Sequence, residues 1–254
     1  MSEPNRADRV QALRRLLPDA AEPRPGAGVL PLGVPAIDGH LPQAGLMLGA
    51  LHEIAPADDL DRPAAFGFAA ALLGRTAPDR PVLLVLPAEA ASDGGRPSGH
   101  GLQRLGLDPA RLVIVEAKTD KERLWAMQEA LRSRAPAAVA GALDRLDLKT
   151  SQRLHHAAGD AGLPLFLLRP ARSADASAAA TRWRVAAAPA ARDRFGLIER
   201  WRWSLSLERC RNGRTGEWLV EFDYAYRFSL APALADPAIS RRADAPAFAN
   251  AHRS

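Results

Sequence analysis

Lysine is almost missing from this chain. Of its 34 basic residues only Lys118, Lys121 and Lys149 are lysines, so nothing before Lys118 can supply the lysine that a GxxxxGK[ST] loop extends to the β- and γ-phosphates of a nucleotide. Cysteine is rarer still. Cys210 stands alone, which excludes an internal disulfide; its neighbours Arg209 and Arg211 could lower its pKa, and the plainer reading is a spare thiol. No stretch approaches the roughly 18 to 20 uninterrupted apolar residues of a membrane-spanning helix. The start, "MSEPNRADRVQALRRLL", has charge where a signal peptide needs an apolar run, so a cytoplasmic protein is expected.

What is abundant is apolar surface and arginine. At 254 residues and 47% hydrophobic the chain can bury a large core. Residues 169–211 hold ten arginines against four acids, Asp175, Asp193, Glu199 and Glu208, a local excess that favours an anionic partner. Residues 5–17 place Val10, Leu13, Leu16 and Leu17 on one helical face, and a Pro/Gly-rich linker follows. Three parts are therefore expected: an amphipathic helix and linker over 1–28, a core over 29–230, and a disordered Ala/Pro-rich tail over 231–254.

The core reads as an α/β fold. "ALHEI" (50–54), "PVLLVLP" (81–87), "RLVIVEA" (111–117), "AAVAGAL" (137–143) and "LPLFLLRP" (163–170) are apolar runs separated by helical patterns at 61–75, near Leu102, at 119–134 and at 148–161. Helical crossovers imply a mostly parallel sheet covered on both faces. From residue 181 the pattern alternates in period two, and Asn212-Gly213 marks a turn between "RWRWSLSLER" and "EWLVEFDY", predicting an antiparallel hairpin on one edge.

The segment "GALHEIAPADDLDRPAAFGFAAALLGR" (49–75) has the strand, loop and helix of a phosphate-binding loop, yet the loop holds Asp58, Asp59 and Asp61, with Arg62 its sole cation. The lead-in "LPLGVPAIDGHLPQAGLMLGALHEI", the strand and acid of "LLVLPAEAASD", the "ERLWA" helix and the hairpin "RWRWSLSLERCRNGRTGEW" together resemble the RecA-like ATPase core, and more closely the ImuA family of damage-inducible mutagenesis proteins, grouped with SulA-like proteins. The resemblance covers roughly residues 29–226. It implies a RecA-like, P-loop-NTPase-type core and a non-catalytic adaptor in SOS-induced translesion synthesis. The implied partners are an ImuB-like Y-family polymerase homologue, an error-prone DnaE-type polymerase and RecA, with nucleoid association after DNA damage. The alternatives are a DNA-dependent ATPase in which Arg62 replaces the lysine, and a SulA-like division inhibitor.

Two or three carboxylates beside a triphosphate repel it by roughly 1 kcal/mol each even at water-like screening, so a degenerate nucleotide site is expected. Against the RecA-like pattern, Gly141 or Ala142 stands where the magnesium-orienting aspartate belongs, with Asp144 two or three residues late. Leu168 and Arg169 stand where a γ-phosphate-sensing glutamine belongs, and only Glu89 matches, at the water-activating position. No catalytic, cofactor or metal residues are assigned; the adjacent His155 and His156 point about 100° apart on a helix and make no chelating pair. The candidates for nucleic-acid or partner contact are Arg169, Arg172, Arg182, Arg184, Arg200 and Arg202. In period two, Trp183, Trp201 and Trp203 face inward while the arginines beside them face solvent.

Overall fold

Apolar runs too short for a helix and flanked by turn residues become the inner strands. The computed structural model describes residues 28–88, 96–173 and 175–231. The amphipathic helix expected at 5–17, Glu89 and nearly all of the tail lie outside the described residues. β1 (Val29–Leu30) and β2 (Leu46–Met47) pair antiparallel as a small separate ribbon. Between them, α1 (Pro35–Asp38) is pinned by one carboxylate: Asp38 accepts from the amides of Leu32, Gly33 and Val34 at 2.8, 2.8 and 3.1 Å.

The main sheet takes β3 (Leu51–Pro56), β4 (Val82–Pro87), β5 (Leu112–Ala117), β6 (Ala138–Ala142) and β7 (Leu165–Leu168), followed by β8 (Thr181–Arg192), β9 (Ile198–Cys210), β10 (Gly216–Phe222) and β11 (Phe228–Leu230). Its order is β11-β10-β9-β8-β3-β7-β6-β4-β5. From β8 to β5 neighbours run parallel; from β8 to β11 they run antiparallel. The sheet is thus mixed and mostly parallel, with the antiparallel hairpin beside it.

Helices lie on both faces. α2 (Arg62–Gly74) and α3 (Gly99–Arg104) pack with Phe68, Leu72 and Leu102 against Leu84, Phe166, Trp183 and Leu205. On the other face, α4 (Asp120–Ser133) and α5 (Leu148–Ala161) pack Met127, Leu131 and Leu154 against Val85, Val139 and Leu165. α4 starts in a capping box, Thr119 with Glu122, and this fixes its first turn. Alternation along β7, with Leu165 and Leu167 on one face and Phe166 on the other, distributes one strand between the two cores.

α2 ends against the backbone that follows α3. A Cβ on Gly74 would lie 2.5 Å from the Gly106 carbonyl oxygen and 2.6 Å from its carbon, and Gly106 itself has φ +83°. Gly74→Ala is therefore expected to destabilise the fold by about 1–3 kcal/mol despite the better helix propensity of alanine. Thermal unfolding should show Tm lowered by several degrees; a raised Tm would show that this crossing yields easily.

Candidate functional site

At a switch point of the sheet, ligand crevices open beyond the carboxyl ends of the strands. Here β3 lies between β7 and β8, and the loops at this end are 57–61 after β3 and 169–180 after β7. Each aspartate of the first loop has a structural partner. Asp58 caps the helical turn, its Oδ1 accepting from the amides of Leu60 and Asp61 at 2.7 and 3.1 Å. Asp61 accepts from the Ala187 amide of β8 at 2.7 Å, and Asp59 pairs with Arg62 at 2.9 Å. Amides at the start of a helical turn attract anions, and here those of Leu60 and Asp61, just ahead of α2, are taken by the protein's own carboxylate. The negative charge in this loop supports the helix it precedes.

The positions after the next strands are also filled by packing. A Cβ at Gly141 would lie 2.4 Å from the Met127 sulfur and 3.1 Å from its Cγ, so the Met127 side chain of α4 occupies the space over β6 that a side chain at 141 would take. Asp144 turns to Arg123 at 3.1 Å, and Arg123 also bonds Asp120, whose carboxylate accepts from the Asp144 and Arg145 amides at 3.3 and 3.0 Å. Burial pushes the Asp120 carboxyl up, but the Arg145 amide, Arg123 and the Asp144 amide outweigh it and hold it below its usual range. Arg169 is buried, giving 2.8 and 2.9 Å bonds to the Leu143 carbonyl and Asp175; burial lowers its pKa against the pull of Glu53 and Asp175.

No protein-family profile matches the chain. It is 35% identical over 229 residues to Protein ImuA of Caulobacter vibrioides strain NA1000 / CB15N, a match covering 82% of this chain and 91% of that protein. Protein ImuA of the strain ATCC 19089 / CIP 103742 / CB 15 matches with the same identity and coverage. The chain belongs to the ImuA family.

In this ImuA-family chain the six candidate arginines divide sharply. Arg182 bonds Glu53 at 2.8 Å, and Glu53, 1% exposed, has its Oε1 unpartnered among the described residues. Arg184 makes two bonds to Glu208, at 2.8 and 3.1 Å, and also reaches the Pro56 and Ala171 carbonyls. Arg200 and Arg202 both bond Glu221, which is 1% exposed. Arg172 alone of the six is exposed without a partner among the described residues. The expectation of a solvated face at Arg200 and Arg202 holds for Arg200, which stays exposed while it bonds Glu221, and needs correcting at Arg202, which stands directly opposite Glu221 across β9 and β10 and is largely covered against that carboxylate. Trp183 and Trp203 do face inward, at 0% and 4% exposure.

Sequence reasoning missed Glu53, Glu208 and Glu221. The one readable signal was that Glu221 sits within "WLVEF" on the face opposite Trp218, Val220 and Phe222. Cys210 differs from the reactive alternative, since burial pushes its thiol up rather than leaving Arg209 and Arg211 to lower it. His155 accepts from the Leu51 amide at 3.3 Å, and among the described residues no three His, Cys, Asp or Glu side chains group as a metal site. No helix among them is long and apolar enough to cross a membrane.

Proposed function

We propose that this ImuA-family protein is a non-catalytic adaptor of SOS-induced mutagenic translesion synthesis, built on a RecA-like core whose nucleotide site has become structural. It brings together an ImuB-like Y-family polymerase homologue and an error-prone DnaE-type polymerase at the damaged nucleoid, and it modulates RecA. Family membership ties the chain to damage-inducible mutagenesis. The observation that carries the non-catalytic part is the loop after β3: Asp58 takes the Leu60 and Asp61 amides of the turn that leads into α2, where a phosphate-binding loop would offer its amides to a phosphate, and Asp59 pairs with Arg62, the cation an ATPase reading would require. A SulA-like division block has no comparable observation in its favour.

A strain lacking the gene is expected to lose most ultraviolet-induced rifampicin-resistant mutants while dividing at ordinary cell length. Unchanged induced mutation would overturn the adaptor reading, and altered cell length would favour the division block. The purified protein should bind no labelled ATP at millimolar concentration. Binding that disappears in Arg62→Ala would restore the ATPase.

A further inference from the structure

β8 and β9 run on together past their neighbours. β3 pairs with β8 only as far as Val185 and β10 pairs with β9 only from Trp201; Ala186 to Ala188 still pair with Ser204 to Arg202, inside the stretch that β10 covers, so residues 189–200 form the two-stranded arm. Its end, 193–197, is a tightly bonded turn. The Asp193 carboxylate accepts from the Phe195 and Leu197 amides at 2.8 and 2.9 Å, the Gly196 amide bonds the Asp193 carbonyl at 3.0 Å, and Gly196 takes φ +79°. This turn holds Phe195 and Leu197 outward, 72% and 65% exposed, which folding alone does not favour.

The cations around these side chains are available. Arg194 lies over one face of the Phe195 ring, 4.6 Å from its centroid, and Arg192 bonds the Gly196 carbonyl at 2.6 Å. Among the described residues neither has a carboxylate partner, unlike five of the six arginines nominated from sequence. The only acid of the turn, Asp193, spends its oxygen on backbone amides.

We propose that this tip is a binding site for single-stranded nucleic acid, in which an unstacked base lies on the open face of Phe195, Leu197 lines its edge, and Arg192 and Arg194 take the flanking phosphates. Stacking on an aromatic beside arginine suits any base, so binding is sequence-tolerant. Size decides against a protein as the sole occupant: five residues fall far short of the roughly 800 Å² per partner of a stable protein interface but match two or three nucleotides. The inference goes beyond the adaptor reading, which stands if it fails, because the adaptor reading is tested by mutagenesis in cells and this site by the purified protein.

The test is fluorescence anisotropy with a labelled dT20 oligonucleotide at low salt, repeated across a salt series. Wild-type protein should bind it more tightly than a duplex of equal length. Phe195→Ala should weaken binding about tenfold, within the range of one lost stack. Arg192→Ala and Arg194→Ala should each flatten the slope of log K against log salt by about 0.7, the single-strand value per phosphate. All three side chains are at the tip, so Tm should stay unchanged. Arg153→Ala, on the exposed side of α5, should leave the slope near that of wild type. Absence of dT20 binding, or equal binding by wild type and all the tip variants, would overturn the site and leave the tip to a protein partner.

Discussion

Arg182→Leu is expected to lower stability by about 3 kcal/mol, while Glu53→Leu combined with Arg182→Leu recovers most of the loss. The reason is the carboxylate left behind. Glu53 is 1% exposed on β3, its Oε2 is held by Arg182 at 2.8 Å, and its Oε1 already lacks a partner among the described residues. Removing one member of a buried pair strands the other charge and costs about 3–5 kcal/mol; replacing both with apolar groups is often neutral. The lower end applies because Arg169, also buried, still acts on Glu53 electrostatically. Urea unfolding at pH 7 of the two singles and the double completes the cycle. If Arg182 were instead a solvated contact for DNA, its replacement would change stability by less than about 0.5 kcal/mol, and that result would return it to the interface.

The same pair shows what a single chain of letters discloses. Period two tells which side of a strand a residue occupies, so Trp183 was readable as core and Arg182 as lying on the other face. It does not tell what stands opposite. Glu53 is 129 residues from Arg182, and the parallel pairing of β3 with β8 that joins them follows from the order of the whole sheet. Local signals did better. The left-handed Asn212 stands in the turn that Asn212-Gly213 marked, because a turn depends on a few consecutive residues.

The loop after β3 was readable as too acidic for a phosphate. The reason for its acidity was readable only in part, since Asp58 caps the turn that directly follows it but Asp61 bonds an amide 126 residues away. The arm of β8 and β9 was read short. The period-two reading carries the strand to Pro189, and "AAR" beyond it has no alternation of apolar and polar residues to extend it to Arg192; the pairing there comes from β9. The separate ribbon of β1 and β2 has two residues per strand, too few for any periodicity to register.

Between pH 7 and pH 5 the protein is expected to lose about 2 kcal/mol of stability through His52 alone. His52 is fully buried on β3, and burial lowers its pKa to about 4; the Met47 carbonyl resists this and His155 adds to it. The partners explain why the neutral ring fits. His52 Nε2 lies 2.9 Å from the Met47 carbonyl and Nδ1 2.8 Å from Thr181 Oγ1, which already accepts from Trp183 Nε1 at 3.0 Å. A neutral ring donates to Met47 and accepts the threonine hydroxyl, satisfying every atom, whereas a protonated ring turns Nδ1 into a second donor against the same oxygen. The unfolded chain, with the ordinary value of 6.5, takes up the proton that the fold refuses. The contribution is therefore complete above about pH 6.5 and is lost progressively as pH falls toward about 4. The depressed carboxyls of Asp120 and Glu221 act at lower pH, so the interval from 7 to 5 separates the histidine from them. Urea midpoints measured across that interval should fall for wild type and change much less for His52→Gln, even though that variant is weaker at pH 7. Parallel slopes in the two proteins would place the acid sensitivity elsewhere and leave His52 as a packing residue only.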